Sequence, residues 1–273
     1  MDIPPIAFIG AGNMASSIVG GLVDSGYPAE LISAADPFPD SLHRLGEVAP
    51  VSLFADNVDA TSNAGIVVLA VKPQAMAEAV NSIAREVRAS GALVISIAAG
   101  ITITSLQARL GPNAAIVRCM PNTPALLASG ATALFANDRV TATQKTFAKK
   151  ILDAVGSTRW VSDESALDTV TALSGSGPAY FFLLMEAMID AACEQGLDRE
   201  TASALTLQTA LGSARMALET DVNLMELRRR VTSPGGTTEA AIESFEHSDL
   251  RRVVRKAIKA AKDRAVEMAR EMG

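Results

Sequence analysis

The chain has 273 residues, of which 49% are hydrophobic, 20% charged and 4% aromatic, with a net charge of -6. That length holds one large or two smaller domains, and the composition is that of a soluble globular protein. The charge and the scarcity of aromatics argue against nucleic-acid binding; two distant cysteines, Cys119 and Cys193, and two isolated histidines argue against a disulfide framework or a metal site.

The chain opens with an apolar run, Ile6-Ala7-Phe8-Ile9, that breaks into Gly10-Ala11-Gly12-Asn13-Met14-Ala15. A strand, a Gly-x-Gly-x-x-Ala turn and a helix in that order form the dinucleotide-binding fingerprint. Gly10 permits the tight turn, Gly12 lets the backbone approach a pyrophosphate, and the small Ala15 allows close packing of helix on strand. The helix expected over 14–25 directs free N–H groups and a positive dipole end at the phosphates. A strand follows over 31–35 and ends in Asp36-Pro37. An acidic residue about 20 positions past the glycines suits the adenosine ribose, and a turn residue before proline explains Asp36 equally well.

Short strands are expected over 51–54, 66–71, 93–97 and 115–119, with Asp56-Asn57 capping a helix. The second of these runs into Lys72-Pro73-Gln74, and the third into Ala98-Ala99-Gly100. Both lie at the carboxyl edge, where doubly wound sheets hold ligands. Strands alternating with helices over 75–88, 103–110 and 143–155 predict a parallel sheet covered on both faces. Further strands over 131–135 and 158–161 complete a dinucleotide-binding domain over 1–162. The apolar runs are far shorter than a membrane span, and no leader pattern is evident, so the expected setting is cytoplasmic, without membrane contact.

Residues 163–273 read as an all-α domain, with helices expected over 166–173, 178–195, 198–219, 224–231, 237–246 and 250–271. Several of these are apolar all round, which belongs to a large core or a subunit interface; dimerisation through this domain is the expectation. Arg228-Arg229-Arg230 and Arg251-Arg252 read as solvated helix faces. Ser233-Pro234-Gly235-Gly236-Thr237-Thr238 places hydroxyls and free N–H groups at a helix start. Such a start suits a carboxylate, or is a plain helix cap.

Five motifs then occur in a familiar order: Gly10 to Ala15, Ala70-Val71-Lys72-Pro73, Met120-Pro121-Asn122-Thr123-Pro124, Leu173-Ser174-Gly175-Ser176-Gly177-Pro178-Ala179-Tyr180 and Ser233 to Thr238. Over essentially its full length the chain resembles the pyrroline-5-carboxylate reductases. The resemblance implies a Rossmann domain followed by a helical dimerisation domain, and homodimers built into larger assemblies such as decamers. It implies reduction of Δ1-pyrroline-5-carboxylate to L-proline by NADPH or NADH. Gly10, Gly12, Asn13, Met14 and Ala15 would hold the pyrophosphate, with Asn57, Ala70, Val71, Lys72 and Pro73 taking the rest of the dinucleotide. Ala98, Ala99, Gly100, Met120 and Asn122 would shape the nicotinamide pocket. Gly236 and Thr237 would receive the substrate carboxylate with Ser233 and Ser176 nearby, and Thr238 would face the imine nitrogen. Many relatives carry Ser, Asn or Arg where this chain has Ala34-Ala35, which argues against a strong NADP preference. Reductases of the β-hydroxyacid dehydrogenase kind carry a catalytic lysine on a second-domain helix, and Lys256, Lys259 and Lys262 lie too near the C-terminus to match. A nucleotide sensor that has lost catalysis would lack Ser176 or Thr238, and both are present.

Overall fold

The computed structural model describes residues 3–272. They form two compact units, one of residues 3–176 with 260–272, the other of residues 177–259. The first unit is built on an eight-stranded sheet, from β1 (Ile6–Ile9) through β2 (Ile32–Ala35), β3 (Ser52–Phe54), β4 (Ile66–Leu69), β5 (Leu93–Ser96), β6 (Ile116–Met120) and β7 (Gly130–Ala136) to β8 (Gly156–Trp160). Their spatial order is β3-β2-β1-β4-β5-β6-β7-β8. The chain first builds outward from β1 to β3, then crosses back to β4 on the other side of β1. The reversal places a crevice at the carboxyl ends of β1 and β4, where doubly wound sheets bind ligands.

The central strands are buried on both faces, hence their continuous apolar sequences. In β1, Ile6 and Phe8 point to one face and Ala7 and Ile9 to the other, the two-residue period of a strand. The first face is covered by α1 (Asn13–Asp24), α2 (Pro39–Val48) and α6 (Ala142–Asp153), through Ile18, Leu22, Leu45, Ile151 and Leu152. The second is covered by α3 (Asn57–Thr61), α4 (Met76–Ser90) and α5 (Ile103–Leu110), through Ala60, Val80, Ile83, Leu106 and Leu110. Cys119 is 1% exposed in β6, and burial pushes its thiol pKa upward. A buried neutral thiol is inert. Cys119 is therefore expected to resist iodoacetamide at pH 8 until denaturant is added, which peptide mass spectrometry would check.

Three features depart from the sequence reading. The sheet is not wholly parallel: β7 runs antiparallel to β6, and β8 is parallel to β7. A parallel return needs a crossover of a dozen residues or more, whereas the link from Met120 to Gly130 holds only a 3-10 turn, Thr123–Leu127. The strands end with β8 as expected, but the first unit continues through α7 (Ala166–Val170) to Ser176.

Residues 171–175 supply the third departure. The glycines there predict a break between helices, yet the chain makes a π-helical turn, Thr171–Gly175, and runs on into α8 (Gly177–Glu194). The Ser176 N–H reaches back to the Thr171 carbonyl at 2.8 Å. The result is one helix of 29 residues, Ala166–Glu194, long and apolar enough by composition to cross a membrane. Counting uninterrupted apolar runs overlooked it, because Ser and Gly interrupt the run.

The second unit holds α8, α9 (Arg199–Glu219), α10 (Leu224–Arg230), α11 (Thr237–His247) and the start of α12 (Leu250–Met272). Asp198 caps α9 by accepting from the Thr201 N–H at 2.9 Å, and Asn223 caps α10 through the Glu226 N–H. Apolar side chains stand exposed along these helices, among them Phe181 at 66%, Leu183 at 66% and Leu211 at 55%.

Candidate active site

In the first unit the expected dinucleotide residues gather at one edge of the sheet. Gly10 has φ +99°, and a Cβ there would stand 2.9 Å from the Ala70 carbonyl carbon and oxygen. Only glycine fits, because both the left-handed backbone and the approach of β4's end exclude a side chain. The turn is fixed on two sides, by Gly10 N–H to Ala35 O and Ala70 N–H to Ile9 O, both 2.8 Å.

Gly12 has a different role. Its φ of −75° suits any residue, and a Cβ there would meet nothing within 4 Å. It is the N-cap of α1, and no side chain caps that helix. The helix start is therefore an open cradle with free N–H donors, which fits a pyrophosphate. A Gly12→Val variant is expected to change stability by less than about 1 kcal/mol and to weaken dinucleotide binding at least about tenfold. Thermal melting and fluorescence titration would measure the two effects.

The remaining expected residues surround this cradle. Asp36 lies at the end of β2, its carboxylate accepting from the Ala11 and Phe38 N–H groups at 2.9 Å each. Asp56 caps α3, accepting from the Val58 N–H at 2.7 Å, and the Asn57 amide donates to Ser82 Oγ at 3.0 Å. Ala70 and Val71 are half-buried past β4, Lys72 is exposed, and Pro73 opens a 3-10 turn. Gly100 has φ +77° at the end of the Ala98-Ala99-Gly100 loop, against the backbone of Met268 in the last turns of α12. Met120 lies beside the π-turn, where a Cβ on Gly175 would come within 2.6 Å of its Cε.

Asn122 differs from its expected role. It is 9% exposed; its amide donates to the Ser174 carbonyl at 3.0 Å and accepts from the Ala131 N–H at 2.8 Å. The side chain is committed to bracing the end of β6 against β7 and the π-turn that leads to Ser176. Sequence reading also missed the group behind it. Arg118, 5% exposed in β6, pairs with Glu164 at 3.0 Å and lies 3.9 Å from Asp168, while Glu164 accepts from the Ile103 N–H at 2.8 Å. An arginine inside the apolar run Ile116-Val117-Arg118-Cys119-Met120 was the available signal, since a buried charge must be paired.

In the second unit Gly235, at φ +71°, turns the chain into α11. The Gly235 N–H donates to Glu239 at 2.7 Å, and Gly236 is the N-cap, without a side-chain cap bond. Thr237 and Thr238 occupy the first turn but do not cap it, so the plain-cap reading of these hydroxyls does not hold. The preceding helix is tied by its own ion pairs: Arg229 and Arg230 hydrogen-bond to Glu226 and lower its pKa to about 2. The arginine run is thus the exposed, paired helix face expected of it.

The two halves of the chain match two family models. One, described as NADP oxidoreductase coenzyme F420-dependent, covers residues 5–100; the other, pyrroline-5-carboxylate reductase dimerisation, covers residues 164–268. The chain is 52% identical to a pyrroline-5-carboxylate reductase of Pseudomonas aeruginosa, over 100% of both sequences. The chain belongs to the pyrroline-5-carboxylate reductase family. A solved member of this reductase family from Coxiella burnetii is 46% identical, with a TM-score of 0.95 over 98% of this chain and 99% of that one. A Plasmodium falciparum member, solved with NADP bound, is 30% identical, with a TM-score of 0.85 over the same shares. The Rossmann-type α/β domain and the all-α domain expected from the sequence are therefore those of the family.

Proposed function

We propose that this chain reduces Δ1-pyrroline-5-carboxylate to L-proline with NADPH or NADH as the hydride donor. One observation carries the reading. The two helix starts that the sequence marks for anions, after Gly12 and after Gly236, both lack a side-chain cap. Uncapped N–H groups at such positions await a ligand's phosphate or carboxylate.

Gly10, Gly12, Asn13, Met14 and Ala15 hold the pyrophosphate, Asp36 and Asn57 lie toward the adenosine, and Ala70, Val71, Lys72 and Pro73 line the path to the nicotinamide. Ala98, Ala99, Gly100 and Met120 shape the nicotinamide end, with Asn122 bracing it. When bound, the reduced nicotinamide supplies a hydride to the imine carbon. The Gly236 and Thr237 N–H groups take the substrate carboxylate, Ser233 and Ser176 add hydroxyls, and Thr238 donates to the imine nitrogen. Protonation of that nitrogen makes the carbon electrophilic, so one hydride and one proton complete the amine. No metal and no His–carboxylate pair are assigned. Orientation of the reactants accounts for most of the rate, up to roughly 7–11 kcal/mol in favourable cases.

The exposed apolar helices of the second unit are assigned to homodimerisation, with dimers assembling into a larger oligomer such as a decamer. A cytoplasmic setting, without nucleic acid or membrane, suits this role. The test is oxidation of NADPH and of NADH by the purified protein with Δ1-pyrroline-5-carboxylate, with proline detected as product. Nucleotide binding without proline formation would overturn the reading.

A further inference from the structure

We propose that the chain selects NADH over NADPH, and that Asp36 sets the choice. The proposal rests on the reading of the Gly10–Ala15 turn as a dinucleotide cradle, not on the identity of the imine.

Asp36 follows β2, next to β1 and its glycine turn. The Ala11 N–H holds one carboxylate oxygen and the Phe38 N–H the other, each at 2.9 Å. With both oxygens tied to backbone, the side chain cannot swing aside without breaking the turn it supports. An ionised carboxylate offers about four acceptor sites, so after these two bonds each oxygen can still accept from a ribose hydroxyl. A 2′-phosphate at the same place would bring its negative charge against a fixed carboxylate.

The surroundings supply no relief. The chain continues as Pro37-Phe38-Pro39-Asp40, putting a second carboxylate in the first turn of α2. The neighbouring strand β3 leads to Asp56, which caps α3, and to Asp59 in its first turn. The first basic side chains after β2 are His43 and Arg44, further along α2. His43 pairs with Glu47 at 3.5 Å, and Arg44 donates to Ser41 Oγ at 3.2 Å. No arginine follows the strand to form the fork that receives a 2′-phosphate. The adenosine end therefore presents acidic groups where an NADP site needs basic ones.

Dissociation constants for NADH and NADPH, measured on the full chain by fluorescence titration without imine, test this directly. NADH is expected to bind at least about tenfold more tightly. Asp36→Asn should shrink that ratio chiefly by tightening NADPH, and added salt should shrink it in the wild type. Equal affinities, or tighter NADPH binding by the wild type, would overturn the proposal. Equal weakening of both nucleotides in a folded Asp36→Asn protein would do the same, leaving Asp36 as a brace of the turn. Binding of neither nucleotide would overturn this proposal and the functional reading together. NADH selectivity without proline formation would support the proposal while overturning only the assigned reaction.

Discussion

Arg118→Met is expected to destabilise the protein by about 3–5 kcal/mol, the cost of breaking a buried ion pair by removing one partner. The side chains of Arg118, Glu164 and Asp168 are 6%, 25% and 16% exposed. Without the guanidinium, two partly buried carboxylates lose their shared cation, and Glu164 keeps the Ile103 N–H as a donor. Urea denaturation would measure the loss. Arg118→Met combined with Glu164→Gln and Asp168→Asn should recover a large part of it, since the unpaired charges are then gone. If the single variant is as stable as the wild type, the network carries no stability. The same pairs join β6 to Glu164 and, through Asp168, to α7, so a partial loss of order should also reach Asn122 and the π-turn before Ser176.

Thr238→Ala is expected to lower kcat by about 10²-fold, the lower range for a positioned proton donor, while leaving folding nearly untouched. The hydroxyl does not cap α11, so its removal costs the helix little. Thr238→Ser, which keeps the hydroxyl, should retain most of the rate. Stopped-flow or steady-state oxidation of the nicotinamide, with melting temperatures alongside, separates chemistry from stability. Turnover like that of the wild type in a folded alanine variant would remove Thr238 from the mechanism.

The strongly periodic elements were legible in the sequence. The glycine turn, the buried strands and the capped start of α3 follow from local rules: φ at Gly10, continuous apolar runs, and Asp one residue before a helix. What escaped depends on contacts distant in sequence. The antiparallel β7 is dictated by the shortness of the link that precedes it, yet its alternation with α6 looks like any other strand–helix pair. The π-turn hides behind glycines that ordinarily end helices, and nothing local says that Ser176 will bond back to Thr171. Asn122 looked like a ligand-facing residue because its loop does, but its side chain is consumed by Ser174 and Ala131. Asp36 was open between brace and ribose partner, and its geometry makes it a brace with acceptor capacity left over.

The last turns of α12 lie in the first unit, where the Met268 backbone meets Gly100 and Met272 packs against the cluster containing Val80, Ile83 and Leu106. This gives biosynthesis an order. A ribosome releases the whole sheet before it has made residues 177–259, and only afterwards the segment that covers this side of α4 and α5. The nascent sheet thus waits, with part of its apolar flank open to water, for residues 260–272 to emerge. Arrested chains that end before residue 260 should keep the early strands yet expose that flank to chaperones, and release should coincide with the emergence of residues 260–272.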